Sequence, residues 1–171
     1  QGGYNVALGG GDTVERHFMD TFHGGKWLPN QDMAWRLCEQ AVVRIRELEN
    51  EVGCFFDRNP DGSLHQKAFA GQTADRTVHK GDRTGIEISN RLREKVLASG
   101  VEKLQEHRAI GLIPTKDGSA LAGVLMIDMR TGRFRFVRAK TVLMATGGGP
   151  TMYRYHTPSG DKTMDGLAMA L

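Results

Sequence analysis

The sequence predicts an α/β chain in which helices come first, an antiparallel hairpin follows, and a buried strand then runs into a glycine turn. Three observations carry this expectation. Met33, Leu37, Ala41, Ile45 and Leu48 recur at spacings of three and four, the period of one helix face. Residues 121–129 and 134–139 are strand-like runs on either side of Arg130-Thr131-Gly132-Arg133, which reads as a hairpin turn. Thr141-Val142-Leu143-Met144-Ala145 is a short continuous apolar run, as expected of a strand buried on both faces, and it leads into Gly147-Gly148-Gly149.

Taken in order, Gly2, Gly3, Gly9, Gly10 and Gly11 surround a short apolar stretch, 4–8. Glycine at that density suits a backbone lying close against another backbone or a ligand. Asp12 followed by Glu15 predicts a capping box. Val14, Phe18 and Phe22 mark the face of a helix that stops at Gly24-Gly25, and Asn30 opens a longer helix that Gly53 closes. Phe55-Phe56-Asp57 reads as extended and Asn59-Pro60-Asp61-Gly62 as a turn. Residues 63–83 are polar and aperiodic, so the expectation there is a long loop, functional or disordered. Ile86, Leu92, Val96 and Leu97 line a further helix ending at Gly100, and residues 101–113 read as extended.

The 171 residues carry 23 Lys plus Arg against 20 Asp plus Glu, a net charge of +3. The basic residues are scattered apart from Arg130, Arg133, Arg135, Arg138 and Lys140, which read as a solvated face. A nucleic-acid partner is therefore not expected. No apolar run approaches the ~20 residues that span a bilayer. Cys38 and Cys54 are too few for a disulfide framework and lack zinc spacing, which favours a reducing compartment and no metal. No targeting segment opens the chain, and both ends read as cut.

Several residues invite a chemical reading beside a purely structural one. The junction 142–149 is either a tight turn or a place where backbone approaches a nucleotide, although it lacks the G-x-G-x-x-G spacing. Asp165, ahead of Gly166, is either a helix cap or an acceptor for a ribose or ribityl hydroxyl, beside a helix start that favours phosphate. Phe69 either anchors its loop or walls a pocket. The six histidines show no ligand pair on one helix, and His17 and His23 read as structural or surface groups. Met152 and Met164 read as packing.

In this order the pieces resemble the flavoprotein subunit of succinate dehydrogenase and fumarate reductase. The resemblance rests on Gln1-Gly2-Gly3, on His17-Phe18-Met19-Asp20-Thr21, and on Gly24-Gly25-Lys26-Trp27-Leu28 with Gln31-Asp32. It continues through Phe69-Ala70-Gly71-Gln72, Asp82-Arg83-Thr84-Gly85, Ala145-Thr146-Gly147-Gly148 with Tyr153-Arg154-Tyr155, and Thr163-Met164-Asp165-Gly166. It spans essentially the whole chain. Ala70 and Met164 stand where the family has glycine.

The resemblance implies an FAD-binding Rossmann-like domain of the glutathione-reductase type with a meander insertion and the start of a capping region. Residues 1–171 would be part of that domain, without its first G-x-G-x-x-G unit and its capping domain, and by themselves inactive. The implied reaction is hydride transfer between FAD and a C4 dicarboxylate. Gln1, Gly2, Gly3, Ala109, Ile110, Thr146, Gly147 and Asp165 would line the cofactor, and Phe69 would pack by the dicarboxylate. An iron–sulfur subunit and membrane-anchor subunits are the implied partners, at the cytoplasmic face of the inner membrane. The alternatives are an L-aspartate oxidase or an adenylylsulfate-reductase-like flavoprotein, and a cofactor-free structural or interaction module.

Overall fold

The computed structural model describes residues 2–171; Gln1, expected along the flavin, lies outside the described residues. The chain forms two compact units, 1–101 and 102–171. In the first, β1 (Tyr4–Asn5), α1 (Val14–Gly24) and α2 (Gln31–Asn50) are followed by β2 (Gln66–Lys67), β3 (Thr77–Val78) and α3 (Thr84–Ala98). The mixture of helices and strands agrees with the predicted α/β class.

Thr13 caps α1, its hydroxyl accepting the Arg16 N–H at 3.2 Å. This corrects the capping box expected at Asp12, whose carboxylate is held instead by Arg76, 64 residues away. Past Gly25, Lys26 and Trp27 take left-handed φ values of 54° and 63°. Side chains rarely accept this conformation. Here the Trp27 ring packs edge-on to Phe22 and His23, and the Trp27 backbone N–H donates to the Phe22 carbonyl at 3.0 Å.

Asn30 caps α2 as predicted, accepting the Met33 N–H at 3.0 Å. The buried row is Ala34, Cys38, Ala41 and Ile45, whereas Met33 is 72% and Leu37 63% exposed. The helix turns its smaller side chains inward because α1 lies close: Thr21 Oγ1 is 3.6 Å from Cys38 Sγ. Ala41 and Ile45 join Val6, Cys54, Phe56 and Val78 in the hydrophobic core. Both cysteines are buried and free.

The stretch expected to be a loop, 63–83, holds two of the three strands of a small antiparallel sheet, ordered β1-β3-β2, with Tyr4 and Gln66 both opposite Val78. Two-residue strands are too short to show a period. The side chains buried around them are Arg76, Thr77 and Val78, so polarity hid the burial. In α3, the row Ile86, Leu92, Val96 and Leu97 is solvent-exposed within this unit. Thr84 is buried at the helix start, its hydroxyl accepting the Lys80 N–H at 3.0 Å.

The second unit is a meander of β4 (His107–Pro114), β5 (Leu121–Asp128) and β6 (Phe134–Arg138), then a 3-10 turn, Pro150–Met152, and α4 (Asp165–Ala170). The predicted hairpin is present, its turn closed by the Gly132 N–H to the Asp128 carbonyl at 2.8 Å. Gly123 is required in β5, because a Cβ there would overlap the Val137 carbonyl oxygen. The extended reading of 101–113 shortens, with the strand starting at His107 after Glu106 turns left-handed at φ 57°.

The buried strand expected at 141–145 is not formed, and Leu143 is 92% exposed. A strand buried on both faces needs neighbours to take its N–H and C=O groups. No strand of the described residues pairs with this run.

Candidate functional site

The first unit brings Gly2, Gly3 and Phe69 together. A Cβ at Gly2 would sit 3.5 Å from the Phe69 ring, and one at Gly3 would overlap Thr77 Cγ2 and the Val78 carbonyl oxygen. The backbone at 2–3 thus lies directly on β3 and against the aromatic. Phe69 is 51% exposed and stays outside the core, so it is not a simple core anchor. Its carbonyl accepts the Gln72 N–H at 3.3 Å, closing the turn 69–72.

Behind this turn lies a buried ionic cluster. Arg76 is fully buried. Its Nε and Nη2 each donate to Asp12 at 2.8 Å, a bidentate pair, and its Nη1 donates to Asp20 Oδ2 at 2.6 Å. Asp20 Oδ2 also accepts the Thr73 N–H at 2.8 Å and the Thr73 hydroxyl at 2.9 Å. Arg16 Nη2 donates to the Thr73 carbonyl at 3.0 Å. Burial works against ionised Asp20, yet the bonds from Thr73 and Arg76 hold its carboxyl below the ordinary 3.8.

His17, on the same helix as Asp20, is buried, and its Nδ1 has no hydrogen-bond partner. Burial, then the Arg76 charge, lowers its pKa below 6.5. The sign follows. A lowered histidine value means the folded chain binds fewer protons than the unfolded one, so the His17 contribution is complete above pH 6.5 and is lost as pH falls through that value. The Asp20 contribution is complete above 3.8 and is lost only further down. Stability is therefore expected to be level between pH 8 and 7 and to decline below 6.5, where His79, also lowered chiefly by burial, adds to the loss, by at most about 1.4 kcal/mol per pH unit for each group. Thermal melts from pH 8 to 5 measure this, and His17→Gln should flatten the decline; an unaltered slope in that variant counts against His17.

The first unit also pairs two histidines that sequence spacing did not connect. His65 Nδ1 and His79 Nε2 are 2.7 Å apart. His79 Nδ1 lies 3.1 Å from Asp57 Oδ2, at ion-pair distance but without hydrogen-bond alignment. Strands β2 and β3 bring these rings together from opposite ends of the stretch read as loop. Among the described residues no group of three or more histidine, cysteine or acidic side chains could hold a metal ion.

The second unit gathers Ala109, Ile110 and Asp165 around a cavity of ≈ 510 Å³ that Arg108, Ile127 and Ala168 also line. The β4–β5 register slips between Ala109 and Gly111, leaving Ile110 as an extra residue in the cavity wall. Asp165 is the first residue of α4 and not its cap. Arg108 Nη2 donates to Asp165 Oδ2 at 2.8 Å. A bond from Thr163, then Arg108, holds the Asp165 carboxyl below 3.8. Met164 precedes it with φ 65°, the conformation for which glycine is the ordinary choice.

Thr146 and Ala109 share a second, apolar cavity of ≈ 220 Å³ with Val142. The Thr146 hydroxyl lies over Gly166, where a Cβ would overlap it. Gly147, at φ 76°, has open space around it. Each unit by itself suits part of a flavin nucleotide: the first has backbone without side chains at 2–3 beside an aromatic, and the second has open backbone at 147 and a polar-ended cavity within the usual ligand range of roughly 300–1,000 Å³.

Sequence reasoning does not connect Arg76 with Asp12 and Asp20, nor Arg108 with Asp165. The only trace of the cluster in the sequence is Arg76 itself, in a stretch poor in apolar residues.

The sequence pattern of the FAD binding domain family matches residues 1–171. An uncharacterised FAD-dependent oxidoreductase of Methanocaldococcus jannaschii is 36% identical over 171 residues, 99% of this chain and 31% of its own length. A fumarate reductase flavoprotein subunit of Serratia is 34% identical, over 99% of this chain and 28% of its length. Among solved structures, Sdh1 of Mycobacterium smegmatis, in complex with UQ1, superimposes with a TM-score of 0.90 at 33% identity, covering all of this chain and 31% of that one. The chain thus spans about three-tenths of the length of these relatives. The L-aspartate oxidase and adenylylsulfate reductase alternatives are not favoured by these matches. The chain belongs to the FAD binding domain family, and FAD is its cofactor.

Proposed function

We propose that residues 1–171 are the FAD-binding part of a succinate/fumarate-class oxidoreductase that transfers hydride between FAD and a C4 dicarboxylate. The observation that carries this is the likeness, along the whole of this chain, to fumarate reductase flavoprotein subunits, together with Phe69 standing beside Gly2. When bound, FAD supplies the hydride acceptor or donor.

The chain's own residues do the rest. Gly2 and Gly3, whose missing side chains let the backbone lie against Phe69 and β3, would run along the flavin. Phe69 excludes water from the dicarboxylate and keeps it aligned. Asp165 accepts a hydrogen bond from a hydroxyl of the cofactor tail, with Arg108 holding the carboxylate ionised and oriented. Ala109 and Ile110 provide the apolar wall of the same cavity, while Thr146 and Gly147 offer a hydroxyl and an unobstructed backbone.

On this reading the whole protein adds a G-x-G-x-x-G unit and a capping domain, and the run 141–145 gains strand neighbours there. Iron–sulfur and membrane-anchor subunits would accompany it at the cytoplasmic face of the inner membrane. The relatives' description as subunits supports this, and no helix among the described residues is long and apolar enough to cross a membrane. The redox response of the bound flavin to succinate and fumarate in the full-length protein tests the proposal.

A further inference from the structure

We infer that Asp20 and Arg76 are positioning residues for the proposed reaction: they fix the turn 69–73 and thereby hold Phe69 against Gly2. The inference rests on the reading of Phe69 as a pocket wall.

Half of Phe69 is open to solvent and the ring is not part of the core, so burial does not set its place. The backbone that carries it is tied down at its far end. Thr73 is held at three points: its N–H and hydroxyl donate to Asp20 Oδ2, and its carbonyl accepts from Arg16. The same Asp20 oxygen accepts from Arg76, which is anchored to Asp12 by two bonds and whose carbonyl accepts the Val6 N–H at 2.9 Å, next to β1. Thr73 is thus linked to the strand that follows Gly2 and Gly3.

Charge balance alone does not require Asp20. Asp12 already neutralises Arg76 bidentately, so a second buried carboxylate adds desolvation cost without being needed for compensation. Its distinguishing contribution is the pair of bonds to Thr73. Fixing a contact group to within a fraction of an ångström through its supporting shell is what an aligned hydride transfer needs.

The test is a double-mutant cycle in the full-length holoenzyme, reading succinate–dye kcat/KM, FAD content and melting temperature for Asp20→Asn, Phe69→Ala and the pair. Each single change is expected to lower kcat/KM about tenfold with FAD retained. If Asp20 acts through Phe69, adding Asp20→Asn to Phe69→Ala should cost less than about twofold more. Thr73→Val leaves the ion pairs intact and keeps the test open should Asp20→Asn not fold; it should give a fall of about threefold that likewise vanishes beside Phe69→Ala. Additive losses in the pair, or unchanged kcat/KM in both Asp20→Asn and Thr73→Val while Phe69→Ala is impaired, overturn the positioning role alone. Unchanged kcat/KM in Phe69→Ala removes the pocket-wall reading as well, and the positioning role with it.

Discussion

Arg76→Leu is expected to destabilise the first unit by about 3–5 kcal/mol, the largest effect of any single substitution considered. The arginine is fully buried, and the Asp12 and Asp20 side chains it pairs are themselves 5% and 9% exposed. Removing the cation leaves two carboxylates facing each other with little water to solvate them. Leucine retains much of the volume, so the cost is electrostatic and not a cavity. The distinguishing comparison is Arg76→Leu with Asp12→Asn, which removes one stranded charge and should recover part of the loss. Urea unfolding of the three proteins gives these values. A loss under about 1 kcal/mol for Arg76→Leu would mean that the cluster is far wetter than its geometry states.

Gly3→Val should have the next largest effect, about 3 kcal/mol, at the upper end of overpacking costs. The added Cβ meets the Val78 carbonyl oxygen, with the carbonyl carbon 3.3 Å away. Backbone atoms cannot rotate aside, so β1 must leave β3 and give up the Tyr4–Val78 pairing, which uncovers Val6 in the core. FAD content of the full-length protein should fall with stability, because the same backbone is proposed to lie along the flavin. Gly147 supplies the contrast. Space around it is open, so valine there costs only the left-handed backbone penalty of about 1–2 kcal/mol, yet the side chain would occupy the proposed cofactor space. Melting temperature and flavin absorbance on each variant separate the two. Intact FAD binding in a destabilised Gly3→Val would detach these glycines from the cofactor.

Local chemistry made parts of this molecule legible in its sequence. Asn30 announces a helix because its side chain can accept an N–H three residues on, and it does. The hairpin around Gly132 is equally local. What escaped depended on distant neighbours. Arg76 finds its carboxylates 56 and 64 residues away, and no periodicity encodes such pairing. The inward face of α2 is legible at Ala41, Ile45 and Leu48 but lies one residue further on in the first half of the helix, where proximity to α1 favours Ala34 and Cys38 over the larger Met33 and Leu37. The run 141–145 has the composition of a strand but no partner among the described residues.

The candidate site divides in the same way. Colinear motifs mark Gly2, Gly3, Phe69, Thr146 and Asp165. Arg108, which holds Asp165, and Arg76, which holds Asp20, carry no motif: their carboxylates lie 57 and 56 residues away, and only the folded chain brings each pair together.

The most direct test of the central claim is anaerobic spectroscopy of the flavin in the purified full-length protein. Succinate should bleach the oxidised flavin band, or fumarate should restore it after chemical reduction, with one equivalent of dicarboxylate per flavin. A flavin that is present but unmoved by both dicarboxylates, while another donor such as L-aspartate bleaches it, would contradict the succinate/fumarate assignment.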